Sequence, residues 1–322
     1  MEPTPPRSRE RPTVSVIIVG YGTLDELRAC LPGVLAEGRT TPIEVIVVEN
    51  ASGDGTAEHI PAEFPDVRFV ELDENVGFAR AVNHAASMAT GRYRLLLNPD
   101  MVIEPGLIAA LVDCARRHPE AGIVGGRTTK PDGTNEPSSC WGAPSWWSQI
   151  CFATGLSTAF PSSERFDPES LGSWRRDDER EVGMITGCLL LASEEVWDEL
   201  GGFDERYWMY GEDADLSMRA RAHGYRPRIT PDAVAMHSIG ASSRPDDRRV
   251  MVLKGKATLL RTHFDLFGGR VATALIVGGV GLRAGLSLTL SVVGRGDSTE
   301  SWRAAWRRRD EWTNGYPDAR DI

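Results

Sequence analysis

NVGFARAVNHAASMATGRYRLLLNPD, residues Asn75–Asp100, joins an Ala-rich stretch to a short apolar run and stops at a carboxylate. Gly77–Thr90 carries small apolar residues at helical spacing, and Tyr93–Leu97 reads as a buried strand ending at Asn98-Pro99-Asp100. An acid directly after a buried strand is held rigidly at a sheet edge, where it suits a divalent cation and a diphosphate. Taken alone, Asn-Pro-Asp is equally an ordinary turn. The same strand-and-helix pattern recurs on both sides. Upstream, Val14–Val19, Glu44–Val48 and Val67–Glu71 are runs rich in β-branched residues, and Asp25–Val34 has helical spacing. The first run ends in Gly20-Tyr21-Gly22 and the second in Glu49-Asn50-Ala51-Ser52-Gly53-Asp54-Gly55. Downstream come a helix at Pro105–His118 and a strand at Ile123–Gly125. Strands alternating with helices predict an α/β domain with a largely parallel sheet and right-handed crossovers. Ligands gather at the carboxyl ends of such strands, where three of these loops fall.

Residues 130–182 break the pattern. They are rich in Pro, Ser and Trp (Trp141, Trp146, Trp147, Trp174) and have no clean period, which predicts a loop-rich insertion over the ligand edge. Regular patterning returns at Met184–Leu191 and Ser193–Leu200, and Asp213–His223 reads as a helix.

The net charge of −10 is unevenly spread. Residues 1–243 carry 22 Lys and Arg against 37 Asp and Glu, whereas residues 244–309 carry 13 against 5. An acidic body argues against a nucleic-acid partner. The polar stretch Met1–Thr13 has no apolar run of the kind a secretory signal needs, so the main domain is expected in the cytosol. The five cysteines show no CxxC spacing and are given no metal or redox role.

Inside the basic block, Val271–Val293 is apolar, interrupted by Arg283 and several glycines. About 20 apolar residues span a bilayer, but a central Arg and this much Gly do not suit a simple span. With Lys254, Lys256, Arg261 and Arg270 before it and Arg295, Arg303 and Arg307–Arg309 after it, the stretch suits helices lying in an anionic membrane surface. The second reading is helices packed on the catalytic domain or on a homodimer partner. The expected organisation is a tail at 1–12, the α/β domain at 13–243, a basic helical region at 244–309 and a tail at 310–322. A chain ending near Ser243 is expected to keep nucleotide binding and lose membrane binding.

Two further groups carry chemistry. Tyr207-Trp208-Met209-Tyr210-Gly211-Glu212-Asp213-Ala214-Asp215 crowds three acids beside an aromatic cluster at a helix start. Capping explains an acid there; an aromatic wall beside a carboxylate also holds a sugar near a general base. His237 follows Ala233–Met236, a strand, just as Asp100 follows another, which makes a shared metal site the reading beside that of an ordinary core histidine.

These stretches resemble glycosyltransferase family 2, in particular its rhamnosyltransferase-like branch. The matching segments are Val14–Tyr21, Ile43–Thr56, Asn75–Asp100 and Gly201–Gly224, with His237 following at a fitting distance. The resemblance implies a GT-A fold, a Rossmann-like mixed, mainly parallel sheet flanked by helices, over about residues 13–243. It further implies an inverting, metal-dependent transferase. Asp213 corresponds to the catalytic base, and Asp100 and His237 to ligands of Mg²⁺ or Mn²⁺. Tyr21, Glu49, Arg80, Asn98 and Asp100 correspond to the nucleotide-sugar site, and Gly187, Trp208 and Glu212 to the acceptor side. Asn98 replaces the first acid of the family's DxD-like motif, Glu49 replaces an Asp, and Gly20 and Gly22 stand where relatives often have Asn. The resemblance favours dTDP-rhamnose as donor and a polyprenyl-diphosphate-linked sugar as acceptor, at the cytoplasmic side of the cell membrane. The alternatives are a UDP-sugar donor, such as UDP-galactofuranose, and an inactive nucleotide-sugar-binding scaffold.

Overall fold

Every residue of Val14–Gly20 (β1) is buried, as expected of a strand covered on both faces. Val14, Val16 and Ile18 enter one apolar cluster and Ile17 and Val19 another, which is the period-2 alternation of a pleated strand applied to two cores. The computed structural model describes residues 11–237, 245–290 and 297–317. Most of the expected N-terminal tail, the boundary at 243 and the end of the chain therefore lie outside the described residues.

The remaining strands are Ile43–Glu49 (β2), Arg68–Glu71 (β3), Tyr93–Leu97 (β4), Met101–Ile103 (β5), Ile123–Thr129 (β6), Asn135–Glu136 (β7), Cys140–Trp141 (β8), Arg180–Glu181 (β9), Met184–Ile185 (β10), Leu189–Ser193 (β11) and Arg228–His237 (β12). The main sheet runs β3-β2-β1-β4-β11-β6-β12-β5. β3, β2, β1 and β4 are mutually parallel; β11 lies antiparallel between β4 and β6. The sheet is therefore mixed, with its parallel half carrying the loops read first from sequence.

The helices are Leu24–Glu37 (α1), Thr56–Glu63 (α2), Phe78–Met88 (α3), Leu107–Arg117 (α4), Trp146–Thr154 (α5), Leu156–Ala159 (α6), Glu194–Leu200 (α7), Glu212–Ala222 (α8), Pro245–His263 (α9), Leu266–Leu290 (α10), Asp297–Arg307 (α11) and Arg309–Trp312 (α12). The sequence reading lacked α2 and β5, and it left 130–182 irregular. α5 lies in that insertion and starts with a capping box, Ser145 and Ser148 each bonding the other's backbone N–H. Its apolar residues run round the helix because one side packs on α10 while the other is exposed, so no amphipathic period exists to be read.

The C-terminal helices build a third core from Val250, Leu253, Leu260, Ala272, Ile276, Val280, Ala305 and Trp312. Trp312, in the stretch assigned to a tail, is fully buried. By length and composition Leu266–Ser287 could cross a membrane (22 residues, mean hydropathy 1.3), and 44% of it is buried inside the fold. Arg283, which interrupts that apolar run, is itself buried. Its guanidinium donates to the carbonyls of Phe152 (2.7 Å) and Gly279 (2.9 Å) and to the hydroxyls of Ser157 (3.1 Å) and Thr158 (2.7 Å).

α9 also seats against α8. His263 Nε2 lies 2.8 Å from Asp215 Oδ1, and a Cβ on Gly255 would fall 2.1 Å from the Tyr210 carbonyl, so only glycine allows that approach. A chain ending near Ser243 would lose these supports. The C-terminal helices therefore hold the segment that leads into α8.

Candidate active site

β1, β2 and β4 end side by side, which places their loops around one cleft of about 150 Å³. Tyr21, Thr23, Asn50, Asn75, Asn98, Asp100 and Trp208 line it. Glu49, the last residue of β2, is almost fully buried beneath it. Its Oε1 accepts from the Ser52 N–H at 2.6 Å and from the Ser52 hydroxyl, while its Oε2 has no partner among the described residues. Burial raises the Glu49 carboxyl above the usual range, against the lowering by Ser52. Thr23 Oγ1 is likewise buried without a partner. Both atoms converge at Gly20, where a Cβ would lie 3.7 Å from Glu49 Oε2 and 2.7 Å from Thr23 Oγ1. Thr23 lines the cleft and Glu49 lies directly beneath it, so both polar groups stand at its β1–β2 side. Thr23 was not singled out from sequence.

Asp100 and His237, 137 residues apart, meet because β12 pairs with β5 in a register that sets His237 opposite Met101. His237 Nε2 is 2.9 Å from Asp100 Oδ2, and its Nδ1 is 2.9 Å from Glu136 Oε2. The bonds to Asp100 first, then Glu136, push the imidazole up to about 10. Among the described residues no three His, Cys, Asp or Glu side chains form a ready-made cage. Asp100 lines the cleft with His237 Nε2 against its carboxylate, and a hard oxygen beside an imidazole nitrogen fits a cation that completes its shell with phosphate and water.

Glu136, like Thr23, is not marked by the sequence. It sits in the irregular stretch, and nothing local marks it. An imidazole that ligates through one nitrogen needs its other N–H fixed, and a carboxylate does this well. Glu136→Gln keeps the size and loses the charge; it is expected to weaken Mn²⁺ binding about 10–100-fold, read by metal titration of the nucleotide-bound protein. Unchanged metal affinity would leave Glu136 a fold residue only.

The patterned run Met184–Leu191 breaks between β10 and β11 at Thr186-Gly187-Cys188, and the break serves Asp213. The Gly187 N–H donates to Asp213 Oδ2 at 2.9 Å, and the Ala214 N–H to Oδ1 at 2.7 Å. The Cys188 carbonyl accepts from the Asn98 N–H at 3.1 Å, tying the same turn to the end of β4. Ahead of Asp213, Tyr210 is held at φ 68° and Gly211 at φ 107°. A non-glycine in that region is strained and persists only where its surroundings fix it. Here Tyr316 does so from the far end of the chain: its hydroxyl donates to the Met209 carbonyl at 2.6 Å. On the other side the Trp208 carbonyl accepts from Phe78 N–H, and a Cβ on Gly77 (φ 84°) would fall 2.8 Å from it.

Two assignments change. Arg80, expected near the diphosphate, does not line the cleft; it pairs with Glu205 at 3.6 Å and borders a second cavity with Asn83 and His84. Ala79, Ala81 and Val82 face the core, so helical geometry turns Arg80 outward. Glu212, expected at the acceptor, is only 4% exposed, and its Oε2 has no partner among the described residues. Burial, then the neighbouring Asp213, raises its carboxyl well above the usual range. It lies beneath the site. Gly187 serves through its N–H to Asp213, and Trp208 stands exposed at the cleft wall.

The family described as Glycosyl transferase family 2 matches residues 15–180, and one described as N-terminal domain of galactosyltransferase matches residues 178–240. The chain belongs to glycosyltransferase family 2. An N-acetylglucosaminyl-diphospho-decaprenol L-rhamnosyltransferase of Mycobacterium tuberculosis is 29% identical over 76% of this family 2 chain and 82% of its own. An O-antigen biosynthesis protein RfbC of Myxococcus xanthus is 31% identical over 74% of this chain but only 18% of its own. Among solved structures, the mannosyltransferase PcManGT from Pyrobaculum calidifontis, in complex with GDP-Man and Mn²⁺, is similar with a TM-score of 0.58. It is 18% identical, and the match covers 94% of this chain and 86% of that one. That likeness shows the fold, which is GT-A.

Proposed function

We propose that this enzyme transfers a single L-rhamnose from dTDP-rhamnose to a polyprenyl-diphosphate-linked sugar, such as N-acetylglucosamine, with inversion. The setting is cell-wall or surface-polysaccharide synthesis, at the cytoplasmic face of the membrane. The observation that carries the chemistry is Asp213, held by the N–H of its neighbour Ala214 and by the Gly187 N–H, the latter from a turn that also ties to the strand end before Asp100. The name of the mycobacterial relative supports the donor sugar and acceptor class.

Asp213 accepts the proton of an acceptor hydroxyl as that oxygen attacks the anomeric carbon. The new C–O bond forms as the bond to the nucleoside diphosphate breaks, and a single attack from one face inverts the centre. Asp100 and His237 would hold Mg²⁺ or Mn²⁺. When bound, such a cation supplies positive charge against the departing diphosphate. Trp208 offers an aromatic wall to a sugar face, and Glu49 Oε2 with Thr23 Oγ1 meets the base.

That base pocket suits the matching ring edges of thymine and uracil alike, so a UDP-sugar donor is the second reading. The test is a panel of nucleotide-sugars with Mn²⁺ or Mg²⁺, read as protection against thermal unfolding. A ligand present at 100 times its Kd stabilises by about 2.7 kcal/mol. dTDP-rhamnose is expected to protect most. Greater protection by a UDP-sugar would move the enzyme to that class, and protection by none would remove the transferase reading.

A further inference from the structure

Among the described residues, the exposed large apolar side chains are not scattered. Tyr21 and Trp208 line the cleft; nearly all the others come from the 146–160 segment and α10. Trp146 (45% exposed), Trp147 and Ile150 share a flank of α5, at i, i+1 and i+4. Leu266 (86%) and Phe267 (79%) open α10. Trp146 joins the two groups: its ring centroid is 5.2 Å from that of Phe264, and a Cβ on Gly268 would fall 2.9 Å from the indole. Phe166, 6.3 Å from Trp147 and 5.2 Å from the exposed Phe160, extends the surface along the next loop.

We infer that this α5–α10 edge is a membrane-docking surface that seats its aromatic and aliphatic tips in the interfacial layer of an anionic bilayer. The inference rests on the lipid-linked acceptor proposed above and specifies how the enzyme reaches it. Charge selects the occupant. Arg261 and Arg270 flank Leu266–Phe267 in sequence, and the Arg165 guanidinium lies 5.7 Å from the Phe166 ring centroid, so cations accompany both parts of the apolar edge. A second copy would oppose these cations with themselves, whereas anionic headgroups complement them. Exposed Trp and Phe beside basic residues are the composition of an interfacial surface.

Arg283 fixes the mode of binding. Three hydrogen bonds, to Phe152, Ser157 and Thr158, tie the middle of α10 to α5 and α6, and its guanidinium lies 4.0 Å from the Phe152 ring centroid. Drawing α10 across a bilayer would strip those bonds and leave a bare charge in hydrocarbon. The helix therefore lies against the membrane within its bundle.

The test compares the full chain with a Leu266→Glu/Phe267→Glu variant in sedimentation with phosphatidylcholine vesicles, with and without phosphatidylglycerol. Both residues are well exposed, so the variant is expected to fold and to keep nucleotide-sugar protection. The parent is expected to sediment with phosphatidylglycerol-containing vesicles, partly released by salt, and the variant's partition is expected to fall about tenfold or more. Equal sedimentation of the two proteins would overturn the inference, as would a parent that stays in the supernatant. A parent that is dimeric in solution and becomes monomeric in the variant would assign the surface to a second copy. Nucleotide-sugar protection is measured without vesicles, so failure of docking leaves the transferase reading standing, and the reverse.

Discussion

Asp213→Asn is expected to slow sugar transfer by about 10²–10⁴-fold, the usual worth of a positioned general base, while nucleotide-sugar binding changes little. The substitution keeps one oxygen to accept from a backbone N–H and removes the ability to take a proton. Burial, the largest influence, raises the Asp213 carboxyl above its usual value, and the N–H groups of Gly187 and Ala214 oppose that rise. The base works only when ionised, so the parent rate should climb with pH through that raised value and then level, and the variant should lose this limb. Stability has the opposite sign. A carboxyl whose folded pKa is raised favours the folded state at low pH, and that contribution is lost as pH rises through the folded value. Asp213→Asn should therefore be at least as stable as the parent at neutral pH, which separates lost catalysis from lost fold. Near-normal transfer by a folded variant would reject Asp213 as the base. Glu212, buried beneath the site, is then a poor substitute; the search would turn to groups lining the cleft.

Asp100→Ala carries the second large effect. Metal-dependent donor binding is expected to fall steeply, with little change in metal-free nucleotide binding, because the base contacts proposed for Glu49 and Thr23 stand at a different part of the cleft. His237→Ala should act in the same direction and more mildly, since a neutral nitrogen gives up less charge than a carboxylate. Chelation of the parent with EDTA is expected to abolish transfer and to restore it on adding Mn²⁺ or Mg²⁺. If EDTA leaves the rate untouched, the cation has no part in the reaction and the Asp100–His237 pair is structural.

The parallel half of the sheet was readable because its evidence is local. An apolar β-branched run with a turn at its end marks a strand within a handful of residues, and β1, β2, β3 and β4 were all placed that way. Asp100 followed from its place just after a strand, while Tyr21, Glu49 and Asn98 were assigned by the family resemblance. Periodicity failed where a helix is apolar on both sides, as in α5, and where a strand is too short to alternate, as in β5. Arg80 was misplaced because its neighbours in sequence reach the cleft, while one residue along a helix turns a side chain by about 100°. The C-terminal region looked membrane-like because its apolar run is long. The burial of Arg283 and Trp312 shows that the same residues also build a core of their own.

Sequence by itself determined which residue types stand at the ends of the strands and at the start of α8, and through their resemblance to a family, the reaction class to be expected. Tertiary structure alone decided their partners. Glu136 meets His237 across 101 positions, Gly187 holds Asp213 across 26, and Tyr316 reaches back 107 to Met209. Each pairing depends on a strand register or a helix docking fixed by burial over the whole fold. Hydrophobic pattern specifies which face of an element is buried, but the polar neighbour that meets a given side chain is set only when distant elements lock together.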